Sequence, residues 1–343
     1  MHLNSRKGAK ELLVYAKTSC DTLAFVIARF QDRPRRDLDI TMPEIVQQFP
    51  VEKEYEKNKN ITAEDIKKLR EWLSTQPHLP GEHLSDLDLA IVFHCCDNSS
   101  EVSKQVLDLH YTLRTLFTTF FKDCIVDLKL EKVLYNVLIA PLPTPTVHGY
   151  RAMYLRLLDS DSRNFNFPVT AKAMMMVFDL WQYQEGTWPG FVLMIDMDQA
   201  TLGHIAKLDV MSIKQVLYFL QEAMLVKLKG LHFLNAPNFM DKVMMLIKPF
   251  IKKPLMDIIH IHEPKSEELY EYVPKKAFPK EEGGEYKDHV TIRDETIELL
   301  KTNTQFFKEE SLRRVNEALR PGGKKTVEDL FGIQGSFKKL DID

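Results

Sequence analysis

Residues 228–262 constrain the fold more than any other part of the chain, because they predict two buried strands on either side of an apolar helix. Leu231 and Phe233, with few charged neighbours, are typical of a strand that is covered on both faces. Asn235 can cap the helix that follows, and Pro237 suits its first turn, where a missing N–H group costs nothing. A strand, a helix and a strand in this order predict part of a layered α/β domain.

The helix predicted for residues 237–252 has two apolar stripes and few charges. The first stripe consists of Phe239, Val243, Leu246, Ile247 and Phe250, and the second consists of Met240, Met244 and Ile251. A surface helix needs only one such stripe to face the core. Two stripes indicate that both sides of this helix contact something other than water.

Strand-like and helix-like segments alternate between residues 141 and 290, and we expect an α/β domain with a mostly parallel sheet there. The predicted strands cover residues 150–157, 191–197, 229–235 and 257–262, and the predicted helices cover residues 169–183, 210–224, 237–252 and 266–272. Three prolines within residues 141–146 predict a stiff linker at the start of this domain.

Residues 44–140 are predicted to form a small helical domain. Thr62 and Asp65 match a capping box at the start of one helix. Ser99 begins another helix, and the apolar residues with helical spacing on it are Val102, Val106, Leu109 and Leu113. This domain therefore precedes the α/β domain in the chain.

The two ends of the chain are more polar. Residues 1–43 form an N-terminal extension without an assigned structure, because the charged run at residues 32–36 interrupts the apolar pattern. Residues 291–343 are predicted to contain a charged helix over residues 294–319 and then a polar tail.

Charge and cysteine usage limit the class of protein. A net charge of −3 offers nucleic acid no general attraction. The four cysteines lack metal or redox spacing, and the adjacent Cys95 and Cys96 are a poor disulfide pair, which predicts a reduced protein. The apolar run at residues 23–30 is too short to span a membrane. We expect a cytoplasmic monomer that contacts membranes peripherally and binds no nucleic acid.

The motifs of common α/β enzymes are missing from the sequence. Neither a glycine-rich phosphate loop nor a G-x-S-x-G or H-E-x-x-H motif occurs. His260 and His262 can face a metal from one strand, or they can be hydrogen-bonded strand histidines. Asp196 and Asp198 end a predicted strand, where carboxylates either take part in a site or cap the next loop. We expect no catalytic residue, no metal site, no cofactor and no enzyme activity.

Large apolar residues are more abundant than the packing of short strands and helices requires. The chain has 14 methionines, and methionine adapts to irregular space, although core packing explains any single one. The surplus predicts a pocket for a lipid-sized molecule. Tyr183 or His204 could serve as a polar contact inside that pocket.

Residues 227–284 contain a specific combination of short motifs. Residues 227–237 are Lys-Leu-Lys-Gly-Leu-His-Phe-Leu-Asn-Ala-Pro, and residues 245–250 are Met-Leu-Ile-Lys-Pro-Phe. The strand at residues 258–262 and the Phe-Pro-Lys-Glu-Glu-Gly-Gly of residues 278–284 follow them. Together these motifs resemble the CRAL-TRIO lipid-transfer family, and within it the tocopherol- and retinaldehyde-binding branch.

The resemblance implies a helical domain followed by an α/β domain that encloses one hydrophobic ligand, such as a tocopherol, a retinoid, a carotenoid or a similar lipid. It implies non-enzymatic transfer, with the helix after Pro237 acting as a gate that faces the ligand on one side and a membrane on the other. The expected ligand-binding residues are Ala173, Val177, Leu180, Phe191, Met194, Val216, Leu220, Met224, Leu231, Phe239, Val243, Leu246, Ile247 and Phe250.

The resemblance leaves an alternative function open, that of a phosphoinositide-binding sensor or scaffold. Lys227 and Lys229 match part of a basic cluster that binds phosphoinositide head groups in some relatives. Ile258 occupies a position that is basic in the tocopherol carrier. Because the basic cluster is incomplete, a carrier of a small lipophile is the first expectation.

Overall fold

In the computed structural model, which describes residues 45–331, a helical region precedes a β-sheet, as the sequence predicts. The sheet has five strands, one more than the four predicted. The extension at residues 1–43 and the tail at residues 332–343 lie outside the described residues. The helices that precede the sheet are α1 (Val51–Lys57), α2 (Ala63–Ser74), α3 (Asp86–Cys95), α4 (Ser100–Leu116), α5 (Thr118–Phe121) and α6 (Leu128–Asn136).

Side-chain caps begin two of these helices where the sequence predicts them. The Thr62 hydroxyl accepts a hydrogen bond from the N–H of Asp65 at 3.2 Å, and the Asp65 carboxylate accepts one from the N–H of Thr62 at 3.2 Å, which confirms the capping box. The Ser99 hydroxyl accepts from the N–H of Val102 at the start of α4. Of the apolar residues with helical spacing on α4, Leu113 is fully buried, Val106 and Leu109 are half-buried, and Val102 is 45% exposed, while the helix also buries Leu107.

The sheet is mostly parallel, as predicted. Its strands are β1 (Val137–Pro141), β2 (Arg151–Leu157), β3 (Phe191–Asp196), β4 (Leu228–Leu234) and β5 (Ile259–Ile261), and they lie side by side in that order. The pairing of β1 with β2 is antiparallel, and the other pairs are parallel.

Strand β1 corrects the prediction that residues 137–140 end the helical domain and that Pro141 begins a linker. The short apolar run from Val137 to Ala140 pairs with β2, and Pro141 is the last residue of the strand. The N–H of Leu142 still donates to the carbonyl of Ala152 at 2.9 Å. An edge strand tolerates proline because one of its sides has no neighbouring strand.

The remaining helices are α7 (Phe167–Glu185), α8 (Leu202–Ile205), α9 (Val210–Glu222), α10 (Met240–Ile247), α11 (Lys253–Met256), α12 (His289–Thr302), α13 (Thr304–Glu310) and α14 (Val327–Phe331). The predicted helix at residues 237–252 is shorter, because α10 passes into the 3₁₀ turn Lys248–Phe250, where Pro249 cannot donate to the helix. The predicted helix at residues 266–272 is only the 3₁₀ turn Glu268–Glu271.

The predicted charged helix at residues 294–319 is also wrong in its bounds. Asn303 separates α12 from α13, and its side chain is hydrogen-bonded to backbone groups. Its carboxamide oxygen accepts from the N–H of Val46 at 2.8 Å, and its amide group donates to the carbonyl of Leu299 at 2.9 Å. A side chain that bonds the backbone in this way competes with the helix.

A buried ion cluster joins the helical region to the α/β region. The guanidinium of Arg114 on α4 donates to Asp179 on α7 at 2.6 Å and to Glu310 on α13 at 2.9 Å. Arg314 also contacts Glu310, at 2.8 Å. Although burial raises the pKa of Glu310, the two guanidinium groups lower it to about 2. The carboxylate is therefore charged at neutral pH and depends on its cationic partners.

We predict that Arg114→Met lowers the free energy of unfolding by about 3–5 kcal/mol, because it leaves the carboxylate of Asp179 without a cation and Glu310 with Arg314 alone. The matched control is Arg163→Met, since Arg163 pairs with Asp161 at 2.7 Å but its side chain is 86% exposed. The control should change stability by less than about 1 kcal/mol. Urea titration measures both, and equal losses in the two variants would contradict the prediction.

Candidate ligand-binding site

A cavity of about 230 Å³ lies between one face of the sheet and the helices α7, α9 and α10. Strand residues in its wall are Val137, Leu155, Leu157, Leu193, Ile195, Leu231 and Phe233. Apolar residues from helices and loops are Phe165, Phe167, Ala171, Met174, Met197, Ala200, Ile205, Leu208, Ile213, Val216, Leu217, Leu220, Val243 and Ile247. Apolar cavities on the order of 150 Å³ stay dry and bind benzene-sized molecules. This cavity therefore has room for a larger apolar guest.

Strand geometry explains why the sheet side of the cavity is apolar. Successive side chains on a strand point to opposite faces, so positions two apart share a face. Leu193 pairs with Leu231, and Ile195 pairs with Phe233, so the parallel register extends one apolar layer across β3 and β4. The other face of the sheet holds a separate core that includes Tyr154.

The polar residues in the cavity wall are Arg156, Thr170, Asp196 and His204. Asp196 accepts hydrogen bonds from the Tyr154 hydroxyl at 2.5 Å, from Arg156 at 2.6 Å and from the Asn235 amide at 2.9 Å. Its other bond, from the N–H of Asp198 at 2.9 Å, closes the loop after β3. Asp196 thus has the capping role that the sequence analysis left open beside a role in a site.

His204 is the predicted polar contact that the structure places at the cavity, whereas Tyr183 is not part of this wall. Tyr183 instead lines a separate cavity of about 60 Å³ near Arg114. His204 is 3% exposed, and Thr201 bonds one of its ring nitrogens. Burial lowers the pKa of His204, so the imidazole is neutral near pH 7.

The cavity brings together some of the expected ligand-binding residues and not others. Those in its wall are Val216, Leu220, Leu231, Val243 and Ile247. Those in or against the surrounding apolar core, but outside the wall, are Ala173, Val177, Leu180, Phe191, Met224, Phe239, Leu246 and Phe250. Met194 lies on the opposite face of the sheet, in the core with Tyr154. The physical reason is that successive side chains on a strand point to opposite faces. Leu193 and Ile195 face the cavity, so Met194 between them faces away from it.

Simple periodicity could have identified several of the missed residues. Once Leu231 faces the cavity, Phe233 must face it too, because it lies two positions further along the strand. Val216 and Leu220 on α9 likewise imply Ile213 and Leu217, which complete the same helical face. Phe165 and Ile205 lie in connections, and no periodic signal points to them.

Helix α10 covers the cavity with its first predicted stripe. The second predicted stripe does not form an outer apolar face, because Met240, Met244 and Ile251 lie in or against the same core. Val243 and Ile247 are buried and line the cavity, and Met240 is buried beside them. Met244 is half-buried, whereas Met245 is 74% exposed. The helix therefore has an apolar inner face and an exposed methionine on its outer side.

The strand histidines form a hydrogen-bonded group on the sheet face that is opposite the cavity. His232 Nδ1 lies 2.9 Å from His262 Nε2, and the rings of His232 and His260 stack with their centroids 4.6 Å apart. Burial and the two neighbouring imidazoles lower the pKa of His232 to about 3. The bond to His232 corresponds to the hydrogen-bonded alternative that the sequence left open for His262, whereas His260 stacks on His232.

The basic residues considered for phosphoinositide binding lie near a cleft of about 600 Å³ between α4 and the segment at residues 252–258. Lys227 Nζ is 2.6 Å from the carboxylate of Asp97. Lys252, in the wall of this cleft, is 2.7 Å from Glu222. Lys229 is exposed on β4. Two of the cations near the cleft are therefore already paired with carboxylates.

Family models match two adjacent segments of the chain. The CRAL/TRIO domain matches residues 136–284, which include the sheet and the cavity helices α7 to α10. A Pinta-like UBA domain matches residues 58–132, which lie in the helical region. Among residues 45–331, no helix is long and apolar enough to cross a membrane.

Known proteins resemble the chain at low identity. Clavesin-1 from Mus musculus is 24% identical over 238 residues, which cover 67% of this chain and 66% of Clavesin-1. Alpha-tocopherol transfer protein-like from Mus musculus is 26% identical over 181 residues, which cover 52% of each chain. The crystal structure of Sfh5 aligns with 72% of this chain and 99% of its own, at 12% identity and a TM-score of 0.41. The domain match and these relatives show that residues 136–284 form a domain of the CRAL-TRIO family, whose members bind and transfer lipids.

Proposed function

We propose that this protein binds one small hydrophobic ligand in the cavity beneath α10 and transfers it between membranes without catalysing a reaction. The cavity is the observation that carries the proposal, because it is about 230 Å³ in volume and lined almost entirely by apolar side chains. Burial of ~300 Å² of apolar ligand surface contributes roughly 7 kcal/mol before ordering costs. The similarity to Alpha-tocopherol transfer protein-like from Mus musculus supports the same function.

The size of the cavity suggests how α10 takes part. Pockets for drug-sized ligands are typically about 300–1,000 Å³, so a tocopherol, a retinoid or a carotenoid needs more room than this conformation provides. Val243 and Ile247 project into the cavity from α10, and outward movement of this one short helix would enlarge it. The proposed gate is therefore α10, and its exposed Met245 is suited to contact a bilayer when the gate opens.

The phosphoinositide-sensor function has weaker support. Asp97 neutralises Lys227 and Glu222 neutralises Lys252, so an anionic head group would have to displace a carboxylate at each position. A site for a phosphorylated head group usually presents unpaired Arg or Lys donors. We therefore propose that ligand release is independent of phosphoinositides.

We predict that Val243→Asp abolishes ligand retention, because it places an uncompensated charge in the apolar wall. Organic extraction of the purified protein and mass spectrometry would identify the retained lipophile in the wild type and its loss in the variant. The matched control is Met245→Asp on the same helix, where the side chain is 74% exposed. Retention by folded Val243→Asp would place Val243 outside the binding site.

We predict opposite effects for two alanines on α7. Ala171 lines the cavity, so Ala171→Leu fills empty space, leaves stability unchanged or raises it by up to about 1 kcal/mol, and reduces ligand uptake. Ala173 is fully buried away from the wall, so Ala173→Leu overpacks the core and costs about 1–3 kcal/mol. Thermal unfolding without ligand measures the difference, and the reverse order would show that the cavity lies against Ala173 instead.

Transfer of retinol between vesicles tests the proposed function directly. We predict that the protein accelerates transfer from phosphatidylcholine donors to phosphatidylcholine acceptors, and that adding a phosphoinositide to the acceptors changes the rate by less than about twofold after correction for net vesicle charge. A rate that requires the phosphoinositide, and that Lys227→Ala with Lys229→Ala removes, would favour the sensor function. The same measurement would then contradict the carrier proposal.

A further inference from the structure

The imidazole of His204 is held in a fixed position at the cavity wall. It belongs to the short helix α8, is 3% exposed and packs edge-on against Phe165, with the ring centroids 5.3 Å apart. The backbone N–H of Thr201 donates to His204 Nδ1 at 3.1 Å, and the Thr201 hydroxyl lies 2.9 Å from the same nitrogen. The ring therefore has little freedom to turn.

These contacts determine which nitrogen carries the proton. A backbone N–H can only donate a hydrogen bond, so His204 Nδ1 must be an acceptor. A neutral imidazole has one N–H group, which places the hydrogen on Nε2. His204 consequently presents a donor, and not an acceptor, at Nε2.

That donor has no partner within residues 45–331, although Nε2 is fully buried. More than nine in ten buried polar groups in folded proteins have a hydrogen-bond partner. The other polar side chains of the wall are engaged with protein atoms: Thr170 donates to the carbonyl of Asn166 at 3.0 Å, and Arg156 is bonded to Asp196 and Asp198. The unpaired donor thus belongs to a residue that lines the apolar cavity.

We infer that the ligand of this cavity carries an oxygen that accepts a hydrogen bond from His204 Nε2, which makes His204 the residue that selects oxygenated lipophiles over hydrocarbons. The inference rests on the proposed function and specifies the chemical class of its ligand. An alcohol, aldehyde, ketone or carboxylic acid satisfies the donor. A hydrocarbon of the same shape leaves it buried and unpaired, which weakens binding.

Two fluorescent probes of equal size separate these classes. 2-Acetylnaphthalene has a carbonyl acceptor, and 2-isopropylnaphthalene has the same number of heavy atoms without one. Titration into the full-length wild-type protein should show that the ketone binds about tenfold more tightly after correction for the difference in water solubility of the two probes. The ¹⁵N chemical shifts of the labelled histidine ring give an independent readout, since they should show a proton on Nε2 and a shift of that nitrogen when the ketone binds.

Two variants test whether His204 causes the preference. His204→Phe keeps an aromatic ring but removes the donor. It should abolish the preference by weakening the binding of 2-acetylnaphthalene, whereas 2-isopropylnaphthalene should bind at least as tightly as it does to the wild type. His204→Gln keeps an N–H donor and should retain part of the preference.

The outcomes separate the inference from the proposed function. Binding of both probes by the wild type with equal affinity, or a preference that survives in His204→Phe, would overturn the role of His204 and leave the carrier proposal standing. Failure of both probes to bind the wild type would overturn both. If His204→Phe does not fold, the wild-type preference and the ¹⁵N shifts still decide the question.

Discussion

The alternation of side chains along β3 and β4 is the constraint on which the site depends. Each strand serves two apolar compartments at once: Leu193 and Ile195 face the cavity, whereas Val192 and Met194 belong to the core on the other face. A slip of one residue in register would exchange these sets. The parallel pairing of β3 with β4 therefore determines the composition of the cavity wall as well as the fold.

The cavity also requires that the helices be held away from the sheet without filling the space between. Helix α7 is fixed by the ion cluster of Asp179 with Arg114 and Glu310, which joins it to α4 and α13. On the cavity side it presents the small residue Ala171 beside the larger Met174. The ion cluster thus holds α7 in place, and the small side chain of Ala171 leaves room between α7 and the sheet. Together they allow an apolar space to persist in a domain that is otherwise close-packed.

The sequence was sufficient for the order of the elements, because long apolar strands and amphipathic helices have distinct periods. It failed at β1, where a short apolar run beside prolines resembles the end of a helix followed by a linker. It also could not separate residues in the cavity wall from residues in the core. Phe191 and Leu231 are both buried and apolar, yet only Leu231 lines the cavity. The hydrophobicity of a residue does not tell whether it contacts a ligand or a neighbouring side chain.

The distribution of polar groups around the cavity separates the source of affinity from the source of selectivity. Asp196 would attract water into the cavity if it were free, but its bonds to Tyr154, Arg156 and Asn235 consume its acceptor capacity. A cavity whose other polar groups are satisfied in this way has little to hold water in place, so a guest gains affinity from apolar area without displacing strongly bound water. The N–H of His204 is the exception in this part of the chain. It adds little area, but it penalises any guest that cannot accept a hydrogen bond from it, and that penalty is what separates ligands of equal size.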